Sequence, residues 1–244
     1  MRNIKAVVEY DGTDFSGFQR LPKRRTIQGE LERALAQVMK EPVRVVGAGR
    51  TDAGVHAAGQ VISFKTECAI PIERVCVALN SALPRDIAVK TAEEVPLDFS
   101  ARYSARSRKY EYSILIADQP SALRGRFAWQ VSSELDLPAM REASAFLLGK
   151  HDFAAFSLSR SDGKTTVREV KSIEIDRRDD VVLIVLEANG FLHSMARRIV
   201  GTLVEVGQGR RPPEDLKTIL ESKDRSTAGK TAPARGLCLI EVEY

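Results

Sequence analysis

Strand-like and helix-like segments follow one another in this chain without a strict β-α-β-α alternation. That order points to an α+β fold rather than a doubly wound parallel sheet. Helical periodicity runs over 27–40, with Thr26 as N-cap and Ile27, Leu31, Ala34, Leu35 and Val38 on one face. Helices are also expected at 71–82, at 137–149, at 191–207 (Met195, Ile199, Leu203 and Val206 inward) and after Pro212-Pro213. Strands are expected at 3–10, 43–47, 60–65, 86–95 and 108–116, at 167–176 and 181–188 around the turn-like "RRDD", and in the closing "LCLIEVEY". No Pro/Gly/Ser-rich linker divides the chain. The boundary is expected near residue 100, giving halves 1–103 and 104–244, and a short echo, "DFSGF" at 14–18 and "DFAAF" at 152–156, fits two similar halves.

No apolar run approaches the ~20 residues that a membrane span needs. The opening "MRNIKAVVEYDG" reads as a first strand, not a signal peptide. Cys68, Cys76 and Cys238 cannot all pair and none lies in a CxxC, so a reduced, cytoplasmic setting is expected. Lys and Arg outnumber Asp and Glu by only 37 to 33, so the distribution of charge matters more than its sum. Arg102, Arg106, Arg108, Lys109, Arg124 and Arg126 stand against Glu111 and Asp118 alone. With "KRR" at 23–25, Arg197-Arg198 and Arg210-Arg211, they point to a polyanion, because guanidinium forks match phosphate geometry.

Several chemistries fall away. "GKT" at 163–165 and 229–231 lacks the upstream glycine of a phosphate loop, since Leu158 and Asp224 stand there. "GAGRTD" (47–52) has Asp52 where a dinucleotide fingerprint has its third glycine, and a carboxylate there would repel a pyrophosphate. His56, His151 and His193 are scattered without ligand spacing, so no metal site is expected and each reads as a packing or hydrogen-bonding residue. There is no G-x-S-x-G elbow. Asp52 itself has two readings. It caps an Asx-type turn between two strands, or it is a carboxylate presented by a glycine-flanked loop, with Arg50 nearby to hold it ionised or to contact a phosphate.

Eight segments in order resemble the tRNA pseudouridine synthase A family: "YDGTDFSGFQ" (10–19), "TIQGELERAL" (26–35), "GAGRTDAGVHAAGQV" (47–61), "LNSALPRDI" (79–87), "FSARYSARSRKYEY" (99–112), "GKHDFAAF" (149–156), "NGFLHSMARRIVGTL" (189–203) and "APARGLCLIEVEY" (232–244). The "GRTDAGVHA" block is the most specific. The resemblance implies that Asp52 attacks the target uridine and that Tyr110 stacks on the base. Arg50 would pair with Asp52 or fill the space of the flipped nucleotide, and Arg197 would approach the catalytic carboxylate. Leu237 would line an apolar pocket, and His56 would be a further substrate contact. The implied fold is the α+β pseudouridine synthase fold, two similar α/β halves with sheets joined and a central basic catalytic cleft. The implied protein is a homodimer that needs no cofactor. It acts on the anticodon arm, at about positions 38–40 of the tRNA, placed by RNA shape and phosphate contacts. Phe18, Ser194, Arg198 and Cys238 depart from the family's usual residues, and the charge of Arg198 bears on tRNA docking. Two other readings remain: a tRNA-binding or tRNA-folding protein without catalysis, and a nucleoside hydrolase, which would want a second carboxylate such as Glu9 or Glu111 close to Asp52.

Overall fold

The computed structural model describes residues 1–158 and 165–244. In chain order the described elements are β1 (Arg2–Tyr10), α1 (Ile27–Met39), β2 (Val46–Gly47), β3 (His56–Thr66), α2 (Ile72–Ala82), β4 (Ile87–Val95), β5 (Ser107–Ile116), β6 (Trp129–Val131), α3 (Leu137–Ala145), β7 (Gly149–Asp152), β8 (Val167–Arg178), β9 (Val181–Ala188), α4 (Met195–Gly207), α5 (Asp215–Ser222) and β10 (Leu237–Glu243). The order is α+β. Two compact units form, one from Met1–Arg106 with Cys238–Tyr244, the other from Ser107–Leu237. No helix among the described residues is long and apolar enough to cross a membrane.

In the first unit the sheet order is β4-β1-β3-β10, with β2 on β3. β1 runs antiparallel to both β3 and β4, and β10 joins β3 in parallel through Cys238–His56 and Leu239–Ala57. The C-terminal strand therefore shares a sheet with the N-terminal one. β3 is buried along nearly its whole length, as a strand covered on both faces must be. α1 starts where the Thr26 hydroxyl accepts the Gly29 amide at 3.2 Å. It buries Ile27, Leu31, Ala34, Leu35 and Met39, while Val38 is only half-buried. α1 packs on α2, and α2 on β4.

The expected strand 43–47 shrinks to Val46–Gly47. Side chains of α1 take the backbone groups that a sheet would have used: Glu32 Oε1 accepts from Val45 N at 3.2 Å, and Gln28 Nε2 donates to Val45 O at 3.2 Å.

The second unit is an antiparallel run, β5-β9-β8-β7, with β6 parallel on β5. β9 alternates strictly, burying Val182, Ile184, Leu186 and Ala188. α3 packs on α4 and β8. The expected helix 137–149 stops at Ala145, and Gly149, at φ +91°, opens β7 instead. α4 starts four residues later than expected. Asn189 and Glu169 first exchange hydrogen bonds (3.0 and 3.1 Å), and Ser194 turns left-handed at φ 58° to launch the helix. The two echo segments each fold as a tight turn that buries both phenylalanines, Phe15 with Phe18 and Phe153 with Phe156.

Candidate functional site

Asp52 lies in the loop between β2 and β3. The loop closes on itself through Val55 N donating to Asp52 O at 3.2 Å, with Gly54 at φ +78°. A four-residue turn with a positive φ at its third position is type II, and glycine takes that place without strain. Backbone, then, shapes the turn. Asp52 is half-buried and Arg50 exposed.

The backbone just before Asp52 is held by a buried polar cluster. The Tyr10 hydroxyl meets Thr51 Oγ1 at 2.8 Å and accepts from Gln60 Nε2 at 3.2 Å. Gln60 also brackets Gly49, donating to its carbonyl at 3.0 Å and accepting from its amide at 3.3 Å. Tyr10, Thr51 and Gln60 are all buried, and burial pushes the Tyr10 phenol far above its usual range, so it stays neutral. A fully satisfied network in a dry interior rigidifies what it touches. Here that is the chain on the N-terminal side of Asp52.

The segment after β1 holds Thr51 a second time, through its carbonyl. Phe18 N donates to Thr51 O at 3.0 Å, and a Cβ on Gly17 (φ +93°) would sit 3.0 Å from that same carbonyl. Gly47 leaves room for the Phe18 ring, and Gly59 for the backbone of Ile240. These glycines let the protein's own elements close around the loop. His56 is also interior: its Nδ1 accepts from Gly12 N at 3.1 Å and stands 3.2 Å from Asp11 Oδ1, tying the start of β3 to the end of β1.

The second unit carries Tyr110, Arg197 and Leu237. Tyr110 sits on β5 opposite Leu186 of β9, only 7% exposed, and meets Phe191 edge-to-face at 5.0 Å and 82°. Arg197, half-buried near the start of α4, donates from Nε to Ala232 O at 2.8 Å, and Ala232 N returns a bond to Arg197 O at 3.1 Å. The segment before β10 is thereby fastened along α4. Tyr112, fully buried, donates to Pro233 O at 2.8 Å and holds the same segment from below. Burial drives its phenol strongly upward despite the positive charges of Arg197 and Arg235. Leu237, 5% exposed, follows directly. Lys230 N donates to Glu205 Oε1 at 3.1 Å and Gly229 N to Thr202 Oγ1 at 3.0 Å, so the second GKT triplet is packed against α4 and is no phosphate loop. Gly163 and Lys164 of the first triplet lie outside the described residues.

Part of the expected basic surface is neutralised. Arg124 forms a two-point pair with Asp180 (2.7 and 2.6 Å), Lys109 stands 3.8 Å from Glu187, and Arg211 bonds Glu205 at 2.6 Å. Arg102 and Arg106 in the first unit and Arg126 in the second are exposed residues, and Arg102 lies over the Tyr103 ring at 5.4 Å. Sequence reasoning missed Tyr10, Thr51, Gln60 and Phe191. Only Phe191 had a local signal, an aromatic directly after the Asn189-Gly190 turn that ends β9.

The chain matches the family described as tRNA pseudouridine synthase over residues 6–104 and 143–244. It is 46% identical over 244 residues to a tRNA pseudouridine synthase A of Caldicellulosiruptor bescii, covering 100% of both chains. Identity is 45% to that of Acetivibrio thermocellus and 46% to that of Brevibacillus brevis, again over the full length of both. Among solved structures it is distantly similar to the archaeal box H/ACA sRNP Nop10-Cbf5 complex, at 13% identity and a TM-score of 0.38, covering 83% of this chain and 43% of that one. A match over most of the chain, with relatives this similar from end to end, makes the chain a member of the tRNA pseudouridine synthase family.

Proposed function

We propose that this enzyme isomerises uridine to pseudouridine in the anticodon stem-loop of tRNA, with Asp52 as the group that attacks the target nucleoside. One observation supports this most: Asp52 is half-exposed at the head of a turn, and the residue before it, Thr51, is held twice, through its hydroxyl by Tyr10 and through its carbonyl by Phe18 N. A reacting carboxylate gains most when its position is fixed before substrate arrives. In the reaction the N1–C1′ bond breaks, the uracil turns over, C5 bonds to C1′, and the C5 proton leaves while N1 takes one up. No redox equivalent or water is consumed. A uracil in a stem must leave its stack first, at a cost of a few kcal/mol.

Tyr110 stacks on the base in this reading, with Phe191 setting its ring angle. Arg50, exposed beside the turn, meets a phosphate or fills the place of the flipped nucleotide. Arg197 supplies positive charge, and Leu237 an apolar wall. His56, buried behind the turn, contributes by holding it. We assign the enzyme to the cytoplasm as a homodimer; its three cysteines form no disulfide, consistent with a reducing compartment. The test is to incubate an anticodon stem-loop transcript with the protein and map the product. Pseudouridine in the arm supports the reading. Free uracil would make the protein a hydrolase, and unchanged but tightly bound RNA would make it a binding protein.

A further inference from the structure

Arg198 is an anomaly of the second unit. It stands on α4, its amide bonded to Ser194 O at 3.0 Å, and its side chain is 7% exposed. The guanidinium donates through Nη2 to the carbonyl of Arg225, while its buried Nε has no hydrogen-bond partner. Among the described residues no carboxylate forms an ion pair with it. The nearest formal charge acting on it is Arg225, of the same sign, and burial with that repulsion lowers its proton affinity.

The acids close in sequence or space hold other partners, although the charge of Asp224 also acts on its neighbour Arg225. Asp224 accepts from Ser226 N and Oγ, both at 2.8 Å. Asp152 accepts from Ala154 N at 3.1 Å and Thr166 Oγ1 at 2.5 Å and stands 3.4 Å from Lys223 Nζ. Glu205 is taken by Arg211 and by Lys230 N. A buried cation without a counter-charge is costly, as is a buried donor without an acceptor. Arg225 is exposed, and its one side-chain hydrogen bond among the described residues, to Leu158 O, is long at 3.4 Å. Arg198, anchored on the carbonyl of Arg225, adds its charge to the exposed fork of that neighbour, and two guanidinium charges so coupled suit an anion.

We propose that Arg198 and Arg225 together bind one backbone phosphate of the tRNA. This rests on the synthase reading and adds a contact to it. The phosphate meets the exposed Arg225 fork and supplies counter-charge to the pair, with Arg198 buried directly behind it, and the site acts on docking rather than on the chemistry.

Three proteins test it: wild type, Arg225→Gln and Arg198→Met, each measured for tRNA affinity across a series of KCl concentrations. Losing one phosphate contact lowers the slope of log K against log salt by about 0.7–0.9. The expected result is that loss in each variant, with KM for tRNA raised roughly tenfold, kcat held and the modified position unchanged. Arg225→Gln changes an exposed side chain and keeps the test sound should Arg198→Met fold poorly. Unchanged slope and affinity in Arg225→Gln, with wild type still active, would overturn the site and leave the synthase reading standing. Wild type that binds tRNA but makes no pseudouridine would sink the synthase reading alone, since the slopes still report the contact. A thermal-shift arm uses inorganic phosphate at constant ionic strength. Stabilisation lost in the variants without any change in tRNA slope would mark a free-anion site and overturn the RNA assignment.

Discussion

The Tyr10 hydroxyl and Thr51 Oγ1 meet at 2.8 Å in a dry interior, 41 positions apart in sequence and one residue before the proposed catalytic acid. Removing that hydroxyl in Tyr10→Phe strands Thr51 and one Gln60 donor. A buried group left unsatisfied costs about 1–3 kcal/mol, so the melting temperature should fall. Because the loss falls on the backbone that carries Asp52, kcat should drop roughly tenfold with KM for tRNA little changed. Steady-state kinetics beside a melting curve check both, and a lower melting temperature with intact kcat would deny the network its positioning role.

Gly17→Ala is the sharpest steric test of the same loop. The new Cβ would sit 3.0 Å from Thr51 O on a backbone at φ +93°. Strain of this kind costs on the order of 1–3 kcal/mol. Reduced stability and reduced turnover are expected together, measured by urea unfolding and single-turnover assays.

Phe191→Ala removes the edge partner of Tyr110. Aromatic pairs of this geometry contribute about 0.5–1.5 kcal/mol beyond area burial. The expected consequence is a several-fold loss in kcat/KM with the fold intact by circular dichroism. Phe191→Leu should recover the packing but not the ring orientation, and so only part of the activity.

The buried phenols set the alkaline limit. Tyr10 and Tyr112 are both raised well above the ordinary tyrosine value by burial. Their neutral forms are favoured in the folded state, so above the unfolded pKa, about 10, the unfolded chain binds fewer protons and stability falls as pH rises. Stability should therefore lose nothing to these two groups below about pH 10 and decline beyond it. Urea midpoints measured from neutral to alkaline pH should show this, and Tyr112→Phe should shallow the decline.

Local signals carried much of the fold. The Thr26 cap and apolar stripe of α1 and the strict alternation of β9 are written in consecutive residues, and the acid at 52 stands out among small neighbours. Long-range packing was not legible. Leu147 is fully buried beyond the end of α3, so its apolar period runs on past the point where the helix stops. Gly47 and Gly59 leave room for Phe18 and Ile240, and nothing nearby in sequence announces those two partners. Tyr10 and Gln60 read as ordinary strand residues, since their partnership exists only once β1 and β3 pair.

The central claim is that Asp52 carries out the isomerisation. Anticodon-arm tRNA transcripts tritiated at uracil C5 should be incubated with wild type and with Asp52→Asn, and the released tritium counted. The account predicts release by wild type alone, with tRNA binding retained by the variant. Equal release by Asp52→Asn would contradict it, because the proton at C5 would then be lost without the carboxylate.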